Sequence, residues 1–184
     1  MKQYKKFIII FPILGTVGDS IKNKMDIVAS TIGFDTEPLY KKMLPHISLH
    51  RPIDTISLEK LKNSVTSIAL RLHKTRIRIG GIDHFGSEYV VLPVQATKTA
   101  ASLWSGIHEL VSQFPEYEHG PFDHDNTLHI TIAEGFSKYF DSYWSSIKKF
   151  CSIEPIDVTI DTIAIYGKSK TGWAEVYNVS LHDT

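Results

Sequence analysis

Cysteine is almost absent from this chain: Cys151 is the only one in 184 residues. A lone thiol excludes an internal disulfide framework and suits a reducing compartment. It falls on the apolar face of a helical stretch, where it reads as a small core residue. Net charge is absent too, with 20 basic residues against 20 acidic ones. That balance argues against long nucleic acid held by nonspecific charge, while leaving a short oligonucleotide or a nucleotide open. No run approaches the ~18–20 apolar residues of a membrane span. The approach to Phe7–Leu14 through Lys2, Lys5 and Lys6 looks superficially like a secretory signal, yet Pro12 interrupts the run. No small-x-small cleavage site follows closely, so the segment reads as a strand of the mature fold. Low-complexity segments, obvious linkers, and C-x-x-C, H-E-x-x-H or Walker spacings are all missing. With 42% apolar residues, the chain can bury a real core as one domain or two small lobes. These absences lead us to expect a cytoplasmic monomer with no membrane association and no obligate protein partner.

What is present is a pair of tetrapeptides, His46-Ile47-Ser48-Leu49 and His129-Ile130-Thr131-Ile132, 83 residues apart. Each reads histidine, apolar, hydroxyl, apolar. In the period-2 alternation of a strand, histidine and hydroxyl share one face while the apolar residues enter the core. One such tetrapeptide means little; two at this spacing point to a duplicated half supplying one histidine each to a shared site.

The surroundings repeat as well. Strands are expected at Lys6–Ile13 and Tyr89–Ala96, again offset by 83, although that offset carries Pro12 to Gln95 and not to Pro93. Helical patterns follow at Val17–Ile32, with Ile21, Met25, Val28 and Ile32 on one face, and at Ala100–Phe114. After each motif comes another helix, capped by Ser57 with Glu59 in the first turn, or by Ser137. Alternating strands at Thr75–Ile82 and Asp157–Ile165 end the two units. Gly81–Ser87 reads as the joint between halves, and Trp173–Leu181 as a leftover strand completing a sheet edge or packing beside the second lobe. The expected organisation is a single bilobal α+β domain built by internal duplication, about 6–82 and 89–165, with the final strand at about 173–181.

In these residues the chain resembles the 2H phosphoesterases, named for two H-x-[S/T]-x motifs, and within them the 2′-5′ RNA ligase-like cyclic phosphodiesterases. The resemblance rests on His46, Ser48, His129 and Thr131, with Leu49 and Ile132 fitting the apolar fourth position. It covers nearly the whole chain in architecture. It implies two pseudo-twofold-related lobes of antiparallel sheet, with helices packed outside and a central cleft. It also implies a metal-independent reaction without cofactors on an RNA end or a nucleotide.

The chemistry accounts for two histidines and two hydroxyls. Opening a 2′,3′-cyclic phosphate needs a base for water and an acid for the departing ribose oxygen on the opposite side of phosphorus. Histidine, with an unperturbed pKa near ~6.5, serves as either. Ser48 and Thr131 would donate to the nonbridging oxygens. Reversal of the same steps would join a 5′-hydroxyl to a cyclic phosphate, and a 2′-5′ linkage is an equivalent substrate. A nucleotide-derived small molecule such as a cyclic phosphate of ADP-ribose is the runner-up within this chemistry. A nucleotide- or RNA-binding module without turnover is the alternative of a different class.

Further candidates surround the motifs. By alternation His50 shares the face of His46 and Ser48, and Arg51 is a candidate phosphate or ribose contact whose counterpart in the second half is Glu134. Lys41 and Lys42 precede the first motif as loop charges. The run from His119 to Asp125 reads as loop decoration, since Gly120-Pro121 breaks any helix that would align metal ligands. Tyr40, Phe85, Phe122, Phe136, Tyr166 and Trp173 are the aromatics available to stack on a base, worth about 1–3 kcal/mol per base. Phe122 is the first choice because its loop leads into the second motif. Gly167–Gly172 reads as a hairpin turn between strands.

Overall fold

Residues 4–32, 38–54, 57–115, 117, 127–135 and 140–183, which the computed structural model describes, build two antiparallel sheets and four helices. In chain order, β1 (Lys6–Pro12) leads into α1 (Gly15–Ile32), a 3-10 turn at Leu39–Lys41 and the first motif strand β2 (His46–Ser48). Then come β3 (Ile53–Asp54), α2 (Leu58–Ala69), β4 (Thr75–Gly81) and β5 (Asp83–Phe85). The second half runs through β6 (Tyr89–Ala96), α3 (Lys98–Ser112), the second motif strand β7 (His129–Glu134) and α4 (Phe140–Cys151). It ends with β8 (Ile153–Ile160), β9 (Thr162–Ser169) and β10 (Gly172–Ser180). The expected cap Ser137, the His119–Asp125 loop with Phe122, Phe136 and the Ile32 side chain lie outside the described residues.

The helices form where the sequence places apolar residues at helical spacing. In α3, Ala100, Leu103, Ile107 and Val111 are buried, each large side chain contributing about 1.5–3 kcal/mol. Thr97 caps it, its hydroxyl accepting from the Ala100 amide at 3.2 Å. Ser57 caps α2 in the same way, as its sequence indicates. Gly18 lets α1 close on the end of β1: a Cβ there would lie 2.3 Å from the Ile13 carbonyl oxygen. Beyond that contact α1 packs against α4 and the motif strand β7.

The first sheet has the order β10-β9-β1-β2, with β3 pairing β1; the second has β5-β6-β4-β8, with β7 pairing β6. The halves therefore exchange strands. β4 belongs by sequence to the first half but lies in the second sheet, and β9 and β10 make the reverse journey. This corrects three expectations. Gly81–Ser87 is not a joint, because it holds β5 and a turn within the second sheet. Asp157–Ile165 is not one strand: the chain leaves the second sheet after Ile160 and enters the first at Thr162, turning at Asp161. The Asp161 carbonyl there accepts from Leu181 at 2.7 Å. The first-strand offset is 81 and not 83, since Ile10 pairs with Ser48 as Val91 pairs with Thr131. With that offset the prolines do align. The leftover strand is β10, the edge of the first sheet.

β1 is covered on both faces. Phe7, Ile9, Phe11 and Ile13 point into the main core, which runs continuously through both lobes. Ile8 and Ile10 point the other way, into a smaller cluster with Ala164 and Tyr166. That second face is the one bearing His46 and Ser48. Cys151 is wholly buried in the main core, and burial pushes its thiol pKa up, so it behaves as the small apolar residue expected.

Candidate active site

The two motif strands lie against each other, each seated on an apolar base. Ile47 and Leu49 are fully buried behind β2, and Ile130 and Ile132 behind β7. This anchors the alternation, so His46, Ser48, His129 and Thr131 stand on the opposite faces, all partly accessible. Directly across the ladder from the hydroxyls, on the same faces, are two buried residues, Ile10 opposite Ser48 and Val91 opposite Thr131.

Each histidine is oriented in the same way by the loop that delivers it. Nδ1 of His46 donates to the Leu44 carbonyl at 2.8 Å, and Nδ1 of His129 to the Thr127 carbonyl at 2.9 Å. A carbonyl oxygen only accepts, so the hydrogen must sit on Nδ1. The neutral ring then has its lone pair on Nε2, and the protonated ring has an Nε2–H. Either ring can therefore take or give a proton at Nε2 without disturbing its anchor.

Burial holds both imidazole pKa values below the ordinary histidine range, and in each ring the carbonyl bond opposes that effect. His129 also lowers the pKa of His46, because a charge on one ring disfavours a charge on the other. The rings thus share one electrostatic environment. Phe85 on β5 adds an asymmetry: its ring stands edge to face with that of His129, with centroids 4.7 Å apart and planes at 85°. The sequence names Phe85 only among several aromatics; what places it is the hairpin register Phe85–Tyr89, which no local pattern reveals.

The surrounding candidates separate. His50 belongs to the core and does not line the site. The strand ends at Ser48, so alternation no longer governs its side chain. Its Nε2 accepts from the Ile9 amide at 2.9 Å and its Nδ1 donates to the Arg51 carbonyl, which occupies both ring nitrogens. Arg51 is exposed just after this turn. Lys42 pairs with Glu134 at 3.0 Å, tying the loop before β2 to the end of β7. Tyr40 donates its hydroxyl to Asp26 on α1 at 3.0 Å. His84 packs against the stacked pair Phe140 and Trp144 of α4, and His108 stacks on Trp104 within α3. Tyr166 and Trp173 stand on the same face as His46. Among the described residues, no three His, Cys, Asp or Glu side chains are grouped to hold a metal ion. Among the same residues, no helix is long and apolar enough to cross a membrane.

Solved structures share this architecture. A phosphoesterase crystal structure superposes with a TM-score of 0.62 at 14% identity, covering 97% of this chain and 99% of its own. Escherichia coli LigT in complex with 3′-AMP gives a TM-score of 0.58 at 12% identity, covering 98% and 100%. Kluyveromyces marxianus Usb1 gives 0.52 at 13% identity, covering 94% and 98%. At such identities the likeness establishes the fold, a bilobal α+β arrangement of two antiparallel sheets without a closed barrel. No curated protein matches the chain in sequence. The family model of the 2′-5′ RNA ligase superfamily, however, matches residues 21–172, which takes in both motifs, most of both lobes and all four helices but the first turns of α1. The chain belongs to the 2′-5′ RNA ligase superfamily of 2H phosphoesterases.

Proposed function

We propose that this chain is a phosphodiesterase that hydrolyses a 2′,3′-cyclic phosphate or a 2′-5′ phosphodiester of an RNA end or nucleotide. His46 and His129 are its acid/base pair, and Ser48 and Thr131 hold the phosphate. The observation that carries this reading is the repeated anchor. Both rings are fixed at Nδ1 by the carbonyl two residues back, leaving two Nε2 atoms to act on one group, with a hydroxyl beside each. The repeated register also supports treating the chain as one bilobal unit of two duplicated halves; that it works in the cytoplasm as a monomer is part of the same proposal. That E. coli LigT was crystallised with 3′-AMP agrees with a nucleotide substrate here.

In the forward step, the neutral ring takes a proton from water at Nε2 as the water oxygen attacks phosphorus. The protonated ring gives its Nε2 proton to the ribose oxygen as the P–O bond breaks. The hydroxyls donate to the nonbridging oxygens, where negative charge grows. These groups complete the proton balance themselves, so no step calls for a metal. Orientation of the substrate decides which histidine starts as base. With a 5′-hydroxyl in the place of water, the same two proton transfers form a P–O5′ bond as the P–O3′ bond of the cyclic phosphate breaks, which gives a 2′-5′ linkage.

The test is hydrolysis of 2′,3′-cyclic nucleotides and a 2′-5′ dinucleotide in EDTA by wild type, His46→Ala and His129→Ala. Each positioned acid or base contributes roughly 10²–10⁴-fold, so either substitution should reduce turnover by that order while the fold persists. Undiminished activity in both variants rules out the assignment. Tight nucleotide binding by an inert wild type identifies a binding module instead.

A further inference from the structure

The duplicated lobes offer a nucleoside two related places beside the phosphate, and the chain fills one of them. In the first lobe Tyr166 lies opposite Ile8, and in the second Phe85 lies opposite Tyr89. The 81-residue offset of the first strands makes these pairs counterparts. Each pair shares a face with the residue across from a motif hydroxyl, Ile10 for Ser48 and Val91 for Thr131. The first place is closed from within. Met43 and Leu44, from the loop before the motif, and Trp173, from β10, pack against Ile8, Ile10, Ala164 and Tyr166. Ile8 is left 5% exposed and Tyr166 7%.

The second place is open. Tyr89 is 38% exposed and Phe85 partly so. Leu44 and Thr127 correspond, since each carbonyl accepts from Nδ1 of its motif histidine. The leucine side chain helps to cover the first lobe, whereas the threonine is polar and exposed. Phe85 reaches the reacting centre itself, its ring centroid 4.7 Å from that of His129. A base joined to the phosphate through a single ribose therefore meets Phe85 without leaving the site. The surrounding charge suits a neutral base and opposes further phosphates. Asp83 shares the face and is exposed, while Glu134, opposite Tyr89, already holds Lys42 at 3.0 Å.

Building on the phosphodiesterase reading above, we propose that the exposed part of Phe85, with Tyr89 across the hairpin from it, is the nucleobase subsite and that it holds the base by stacking. The first lobe supplies no second subsite, because the corresponding place is packed shut by Met43, Leu44 and Trp173. Every base has a π-face, and Phe85 has no polar atom with which to choose among them. The subsite therefore sorts nucleotides from base-free phosphates, and not one base from another.

The experiment compares kcat/KM for guanosine, adenosine, cytidine and uridine 2′,3′-cyclic phosphates with that for base-free ribose 2′,3′-cyclic phosphate. Wild type should favour every nucleotide over the base-free substrate by roughly 5- to 150-fold, the range of base–aromatic stacking. Phe85→Leu should bring that ratio close to one, and Phe85→Tyr should keep it. The ratio is the readout because a lost contact with His129 slows both kinds of substrate alike. Trp173→Leu, on the closed side, should leave the ratio as in wild type. A wild-type ratio near one overturns the subsite while leaving the phosphodiesterase reading intact. So does a ratio that Phe85→Leu leaves unchanged, or one that Trp173→Leu abolishes. If wild type turns over none of the substrates, the phosphodiesterase reading fails, and calorimetric titration with 3′-AMP and with ribose 3-phosphate decides the subsite alone. Tighter binding of 3′-AMP that Phe85→Leu removes and Phe85→Tyr retains upholds it; equal binding of the two, or a difference that Phe85→Leu does not alter, overturns it.

Discussion

Pro12 and Pro93 hold the same place in the two sheets, each directly opposite a motif histidine: Pro12 opposite His46, Pro93 opposite His129. The adjacent backbone bonds, Ile13 amide to Pro45 carbonyl and Val94 amide to Leu128 carbonyl, are 2.9 and 3.0 Å long. Each proline thus falls at a non-hydrogen-bonded pair, where its missing N–H leaves the ladder whole. On the other edge, the β1–β9 ladder stops at Ile10, and β6 passes from β5 at Val91 to β4 at Val94. Neither proline removes a bond from its sheet. Non-hydrogen-bonded pairs bring Cα atoms to ~4.5 Å, so each histidine is backed at short range by a rigid ring while a carbonyl holds its Nδ1.

That anchoring predicts one tautomer for both rings. Nitrogen NMR of the neutral protein should show His46 and His129 protonated at Nδ1, against the Nε2–H form that free imidazole favours in peptides. Rings found as Nε2–H would mean that the carbonyls of Leu44 and Thr127 do not set the proton's place, and the mechanism would lose its two equivalent Nε2 atoms.

Phe85 should matter to one histidine and not to the other. Its edge-to-face contact helps bury His129, and burial is the main reason that ring's pKa is low. Phe85→Ala should move the His129 titration up towards the ordinary value near ~6.5 while His46 moves less. Turnover should fall, by up to ~10²-fold if the ring shifts by an ångström. Identical displacement of both titrations would show that the effect is global and that Phe85 has no particular hold on His129.

The motif and its period were legible because they are local. His46, Ser48, His129 and Thr131 declare their shared faces by alternation alone, and the apolar residues between them declare the core. Ser57 is readable as a cap for the same reason. Strand exchange between halves is not local: nothing near Asp161 distinguishes a bend within one strand from a crossing between sheets, and the pairing of β9 with β1 settles it. His50 misleads because alternation was carried two residues past the end of β2, where the chain turns and the ring finds the Ile9 amide. The proline alignment was hidden by a change of offset: the connection from β6 to β7 is two residues longer than that from β1 to β2, so a single offset of 83 fits the motifs and misaligns their partners.

Stability should fall on mild acidification. Both motif histidines have folded pKa values below the unfolded value near ~6.5. Above that pH both states are neutral and nothing is lost. Below it the unfolded chain takes up protons that the folded rings refuse, so folding weakens as pH drops towards the folded values. Asp157 and Asp183 have pKa values lowered by their partners Arg78 and Lys74, and their stabilisation fades only at more acidic pH. The urea midpoint should therefore decrease between pH 7.5 and 5.5, and the decrease should shrink in a His46→Gln/His129→Gln double variant. An equal decrease in the double variant would assign the effect to other groups.

Ser48 and Thr131 should be unequal in tolerance but equal in necessity. Each hydroxyl shares its strand face with a motif histidine and has a buried residue directly across the ladder, Ile10 in one lobe and Val91 in the other. Ser48→Ala or Thr131→Ala removes one donor to the phosphate, and losses of about 10²–10³-fold in kcat accompany removal of comparable donors. Because the charge they stabilise grows during the reaction, kcat should fall more than KM rises. Ser48→Thr keeps the hydroxyl, adds a methyl and restricts the rotamer; it should retain most activity, as Thr131 already carries that methyl in the other lobe. Thr131→Val tests the same point in reverse, preserving shape while losing the donor. Full activity in Thr131→Val would remove the hydroxyls from the mechanism and leave the two histidines to account for it alone.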